Sequence, residues 1–238
     1  SMPSRSTEQF VPAAGAGIAV SAQVWIVGEH VVGPEGGEQT TAVEDLAQTV
    51  GCAGCTGNAG VCGKKADTAR LQDELTGALI GLARAVDSTT AISKRTGQII
   101  IEGLFTTVTN VNFDDVSIEN MIQKVRAEKE RLVPDCSKCQ SPCGKTDEYD
   151  MQQLWNANED IRSLKSLILF GIRGMAAYAY HAYVLNYEDT EVNRFFCEAL
   201  FRIGYEESVE TLLPTVFTVG EIHLKCMALL GKANTEIC

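Results

Sequence analysis

The chain has 238 residues, 45% of them hydrophobic, with 20 Lys and Arg against 31 Asp and Glu for a formal net charge of −11. That length and apolar content suit one large globular domain or two small ones. The acidic balance argues against a nucleic-acid partner, which draws on concentrated lysine and arginine. No run is expected to reach the roughly 20 apolar residues of a membrane span, so no membrane partner is predicted.

Residues 1–37 read as an irregular extension, with Pro3, Pro12, Pro34 and many glycines. Ser1-Met2 resembles a scar left by tag cleavage, and the apolar stretch Phe10 to Val32 lacks the basic flank of a signal peptide. Within it, Ala22 to Val32 has the β-branched and aromatic content of a short strand or hairpin, and Thr40 to Val50 has the apolar spacing of a short helix.

Gly51 to Lys65 then places Cys52, Cys55 and Cys62 in a glycine-rich loop, spaced C-x2-C-x6-C, directly before a helical pattern. Glycines permit the positive φ angles and close backbone approach that wrapping several thiolates around one centre requires. Ala66 to Val86 predicts a long helix with Asp67 as its cap, and Gln98 to Val108 predicts a second. Ser117 is expected to cap a third, with Ile118, Met121, Ile122 and Val125 inward and Lys124, Arg126, Glu128, Lys129, Glu130 and Arg131 toward water.

Pro134 closes that helix and opens a second cysteine segment, in which Cys136, Cys139 and Cys143 are spaced C-x2-C-x3-C around Pro142. From Met151 a long helical tract runs to Leu185, with small residues from Gly171 to Ala182 that would admit a neighbouring helix closely. Asp189 or Thr190 should cap a helix from Val192 to Ile203, and Ser208 to Gly231 a last helix or helix pair that Pro214 starts or kinks. The sum is six or seven helices and no reliable sheet, an all-α chain.

Each cysteine group offers three sulfurs where a tetrahedral zinc or a cubane cluster normally takes four protein ligands. The two groups either share a site or each borrow a ligand. Two C-x2-C pairs, Cys52 with Cys55 and Cys136 with Cys139, also match a zinc tetrathiolate, and a disulfide between the loops is the ordinary competitor. Clustered cysteines in a chain this long favour a reducing, cytoplasmic-type compartment. Cys197 and Cys226 lie in apolar helical patterns and read as core residues; Cys238 is terminal. His181 reads as a packed histidine rather than a ligand, and His30 and His223 have no convergent partners in the sequence. No carboxylate pair is distinctive enough for acid–base chemistry.

Four ordered segments carry a family likeness: Gly54-Cys-Thr-Gly-Asn-Ala-Gly-Val-Cys-Gly-Lys64, Leu104 to Phe113, Phe170 to Ala182 and Lys232-Ala-Asn-Thr-Glu236. Together they resemble the N-terminal region of hybrid cluster proteins, the prismane or hydroxylamine reductase family, over residues 38–238. The resemblance implies an all-helical first domain of two small bundles. It further implies a conventional iron–sulfur cluster, of the 4Fe-4S kind, with Cys55 and Cys62 among its ligands. Where that family carries two earlier cysteines, this chain has Pro34 and Gly37 in Pro-Glu-Gly-Gly-Glu-Gln-Thr40, which leaves three alternatives for Cys52 and the segment from Cys136 to Cys143: replacement ligands, a different metal site, or remnants of a lost cluster.

The family's hybrid cluster is held by later domains. The chain as given is therefore expected to be an electron-transfer or structural module rather than a self-sufficient reductase of hydroxylamine or nitric oxide. Its partners would be the remaining catalytic domains or a reductase subunit, together with a redox donor. The contrasting expectation is a zinc-stabilised or metal-free helical domain retained for assembly, with a homo-oligomer as one form of it.

Overall fold

The computed structural model describes residues 64–86, 92–108, 112–133, 148–205 and 208–237. Seven helices make up the regular structure among them: α1 (Ala66–Ala85), α2 (Lys94–Thr106), α3 (Asp115–Leu132), α4 (Gln152–Trp155), α5 (Glu159–Val184), α6 (Thr190–Tyr205) and α7 (Val209–Ile237). The all-α expectation holds. The expected extension, strand and first short helix, together with all six loop cysteines, lie outside the described residues.

Local chemistry sets the boundaries. Ser93 caps α2 by accepting from the Thr96 N–H, and Asp114, rather than Ser117, caps α3 by accepting from Val116. Asp67 is not a cap; α1 starts after Lys65 without a side-chain cap, and Asp67 sits in the first turn, ion-paired to Arg70. The tract from Met151 is interrupted. The one-turn α4 ends at Trp155, and Asn158 starts α5 afresh by accepting from Asp160 N–H at 3.0 Å. Helix α5 stops through a Schellman arrangement: Asn186 adopts φ 65°, Tyr187 N–H bonds Ala182 O at 2.9 Å and Asn186 N–H bonds Tyr183 O at 2.8 Å. Asp189 caps α6, accepting from Glu191 and Val192. Pro214 neither starts nor splits α7, since it lies in the second turn, where a single backbone bond is lost.

The helices form two groups of three. Thr68 Oγ1 donates to Asp115 at 2.5 Å and Arg126 reaches Glu74 at 2.8 Å, so α1 and α3 run parallel. Between them α2 runs the other way, with Thr96 against Glu128 and Glu102 against Lys124. In the second group, Gly171 meets Val219, Tyr178 meets His223 and Tyr187 meets Glu236, making α5 and α7 a long parallel pair linked by α6. Helix α2 also packs on α5 and α6, and α1 on α6, so one continuous core joins the groups. Leu75, Leu79, Ile80, Ile100, Leu104, Ile118, Ile168 and Phe196 lie at its centre, each essentially sealed from water. Burying a side chain of that size contributes about 1.5–3 kcal/mol.

Two sequence expectations need correction. Glu128 and Lys129 are buried rather than solvated. They continue the i, i+3, i+4 stripe of Ile118, Met121, Ile122 and Val125, and position on the helix overrode residue type. Helix α7, by length and composition, is long and apolar enough to cross a bilayer. Its inner face, including Leu212, Val219, Ile222 and Cys226, is buried in the bundle.

Candidate metal centre

The two cysteine-bearing segments, residues 51–63 and 134–147, join the described framework at fixed points. The first enters α1 through Lys64, which is only 4% exposed. Its Nζ donates to Gln72 Oε1 at 2.7 Å and lies 5.8 Å from the centre of the Phe113 ring. Gln72 passes the contact on, donating from Nε2 to the Asn112 carbonyl at 3.0 Å. The residue two places after Cys62 is thereby tied to the segment that enters α3.

The second segment leaves at Val133, past the far end of α3, and returns at Glu148. Eighteen helical residues separate the two ends of α3, roughly 27 Å at 1.5 Å per residue. On return, Glu148 takes a two-pronged grip from Arg126, with Nε at 2.5 Å and Nη2 at 2.8 Å, while the same guanidinium holds Glu74. Arg126 keeps the Glu148 carboxyl below the usual carboxylate range. Tyr149 then docks backbone to backbone on α1, its N–H bonding Gly77 O at 3.3 Å. A Cβ on Gly77 would lie 2.2 Å from the Tyr149 carbonyl oxygen, so only glycine admits this approach.

Near the point where the second segment departs, Glu128 is fully enclosed between α2 and α3. Arg131 donates to it at 2.6 and 3.0 Å, Thr96 Oγ1 at 2.6 Å and Arg95 Nε lies at 3.0 Å. The Arg131 bonds first, then Thr96, hold this carboxyl below its ordinary pKa against the cost of burial. All its strong acceptor positions are used, which makes it a clamp on the helix ends rather than an acid or base.

Among the described residues no group of three or more His, Cys, Asp or Glu side chains converges on a metal-sized site. The two described thiols are unsuited to ligation. Burial pushes both Cys197 and Cys226 up to about 12, so each stays protonated, and Cys197 Sγ lies 3.9 Å from the Ala83 carbonyl. They are core residues, as the sequence predicts. His181 packs against Phe105 and Tyr180 as an exposed ring, and burial beside Tyr178 lowers the pKa of His223, whose Nε2 has no hydrogen-bond partner among the described residues. The thiols left for a metal are therefore those the sequence singled out, Cys52, Cys55, Cys62, Cys136, Cys139 and Cys143, with terminal Cys238 besides. Soft sulfur donors in C-x2-C spacing fit iron–sulfur clusters and zinc.

Residues 47–238 match the model of the Prismane/CO dehydrogenase family, a span that includes all six loop cysteines and every described helix. The chain belongs to that family. Within the prismane group it is 38% identical over 208 residues to a hydroxylamine reductase of Methanococcus vannielii, covering 79% of this chain and 38% of that protein. It is 40% identical over 190 residues to the hydroxylamine reductase of Chlorobaculum tepidum, covering 74% and 35% respectively. A hydroxylamine reductase of Thermodesulfovibrio yellowstonii is 39% identical over 198 residues, covering 74% and 37%. The chain thus spans a little over a third of the length of these prismane relatives.

The sequence could not have pointed to Lys64, Gln72, Gly77 and Arg126 as the fixings of the cysteine segments. Their partners are 8 to 72 residues away, and only the Cys-Gly-Lys run beside Cys62 marks one of them.

Proposed function

We propose that this chain is an iron–sulfur electron-transfer module of a hydroxylamine-reductase-type protein. The observation that carries the reading is the placement of Cys55 and Cys62, in Gly-Cys and Val-Cys-Gly-Lys, inside the family match and immediately before the buried Lys64 anchor. A thiolate-bound cluster would supply one-electron storage at a potential set by its ligands, nearby hydrogen bonds and exclusion of water. Cys52, Cys55 and Cys62 are the proposed core of the ligand set. The protein's own contribution is to fix the exit of that loop through Lys64, whose ammonium is held by Gln72.

The attachment of the two cysteine segments at opposite ends of α3 supports a separate centre or structural role for Cys136, Cys139 and Cys143. Electrons would pass from a soluble donor to a catalytic region such as the prismane relatives carry in the remainder of their length. A reducing compartment suits thiols meant for metal rather than for disulfides.

The test is metal content and a visible spectrum on protein purified without oxygen, for the native chain, Cys62→Ser and Cys136→Ser. About four irons per chain, with the visible absorption lost in Cys62→Ser and kept in Cys136→Ser, is the expected result. Loss in both variants would mean the segments share one centre. Stoichiometric zinc without colour would replace the electron-transfer reading with a structural one.

A further inference from the structure

Where the first turn of α6 meets the first turn of α2, the helices leave a small cavity. Its polar walls are Gln98 of α2, Tyr183 and Glu188 at the end of α5, and Asp189 and Asn193 at the start of α6; apolar residues close the rest. The space is about 10 Å³, enough for one species of water's size. Helix α2 gives up a side chain to form it. A Cβ on Gly97 would lie 3.0–3.2 Å from the side chain of Asn193, so a glycine, weak in a helix, makes room for that amide. Asn193 is 5% exposed, yet its amide makes no hydrogen bond among the described residues, and neither do the Gln98 amide and the Tyr183 hydroxyl. A buried amide left without a partner costs free energy, and a bound species in reach removes that cost.

Charge decides which species. Asp189 uses one carboxylate oxygen to accept from the N–H groups of Glu191 and Val192, at 2.8 and 3.1 Å, and its other oxygen has no partner among the described residues. That cap also answers the positive end of α6. Glu188 is ion-paired to Lys94. The cavity adjoins the end of α5, whose last carbonyls carry partial negative charge. Carboxylate, amide and hydroxyl oxygens beside a helix C-terminus suit a cation. One uncommitted carboxylate is little charge for calcium, which takes about six to eight oxygens, and magnesium keeps a water shell that the space does not admit. We propose that this cavity binds one monovalent cation of potassium size through oxygens of Gln98, Tyr183, Asp189 and Asn193. Held there, the ion ties α2 of the first helix group to the turn between α5 and α6 of the second.

Thermal unfolding of the full chain, followed by circular dichroism as potassium chloride replaces choline chloride at constant ionic strength, tests the site. The midpoint should rise by about 3–5 °C at roughly ten times the dissociation constant and follow a single-site curve. Ammonium and rubidium, of similar size, should act as potassium does, and lithium should not. Asn193→Leu should abolish the potassium response while its midpoint in choline equals or exceeds the native value, because the unmet amide is gone. Asn193→Asp should lower the midpoint in choline and lower the half-maximal potassium concentration at least tenfold, since a second free carboxylate then faces the ion. Crystals of the native chain soaked in rubidium chloride give a readout that needs no variant to fold: one anomalous peak within bonding distance of Gln98 and Asn193. Equal midpoints in potassium and choline, a full potassium response in Asn193→Leu, or a bound water with no rubidium peak would each overturn the proposal.

Discussion

The two three-helix groups are built alike and finished differently. Around α1, α2 and α3, charged and amide groups go inside: Lys64, Gln72, Glu128 and Lys129 are buried, and Glu128 is held by three side chains. Around α5, α6 and α7 fewer polar groups are buried, Lys165, Ser166, Asn193 and Thr215, and apolar side chains spill onto the surface at Phe201, Phe217 and Leu224. A polar clamp has one geometry in which its hydrogen bonds are satisfied, whereas an apolar face tolerates sliding and accepts partners. The first group is therefore fitted to hold two chain segments in place, and the second to pack.

The contrast can be broken most sharply at Gly77. Gly77→Val puts a branched side chain where the Tyr149 carbonyl sits and should cost about 3 kcal/mol or more in urea denaturation, because backbone cannot yield as a side chain tip can. Gly171→Ala, in the apolar group, meets only a methyl of Val219 and should cost about 1–2 kcal/mol by the same measurement. If the two cost the same, the first group is no more rigidly specified than the second.

Next in size is Glu128→Gln. It keeps the shape but removes the charge that Arg131 and Arg95 answer, and about 1–2 kcal/mol should go, since both arginines stay half in water. The same residue sets a pH dependence. Folding lowers the pKa of Glu128 and of Glu148, so their stabilisation is fully present above the unfolded carboxyl value near 4.5 and is lost as pH falls through the lower folded values. In the second group, burial lowers His223, so protonation of the unfolded chain draws stability away as pH drops below about 6.5. Melting curves should show a shallow decline below pH 6.5 that His223→Phe removes, and a separate acid loss below pH 4.5 that Glu128→Gln reduces.

The smallest expected effect is chemical. In native protein at pH 8, Cys197 and Cys226 should resist iodoacetamide over hours, with thiol values near 12 and buried sulfurs. Modification of either at the rate of a free thiol would show that the apolar group opens far more readily than its packing implies.

Much of this architecture was legible in the chain because apolar spacing fixes helices. Ile118, Met121, Ile122 and Val125 face inward as their period demands, and Gly171 sits where the small-residue run of α5 predicted a close neighbour. What the sequence concealed depended on contacts between distant residues. Glu128 reads as solvated until Thr96, 32 positions earlier, is seen against it. Asn158 reads as helix interior until its side chain is seen closing the turn before α5. Cys55 and Cys62 are candidates from spacing and family likeness that lie outside the described residues, whereas the attachment point of their loop depends on Lys64, Gln72 and Asn112 meeting across 48 residues.

The docking of Tyr149 on Gly77 gives the second cysteine segment a built-in reporter. A single amide, Tyr149 N–H, is bonded to the middle of α1 and stands outside the segment itself. Its deuterium uptake measures how firmly that segment's return arm is seated, without labelling or altering any cysteine. Occupancy of a centre at Cys136 to Cys143 would slow that one exchange rate, and loss of the metal would quicken it, while amides deep in α6 kept their protection.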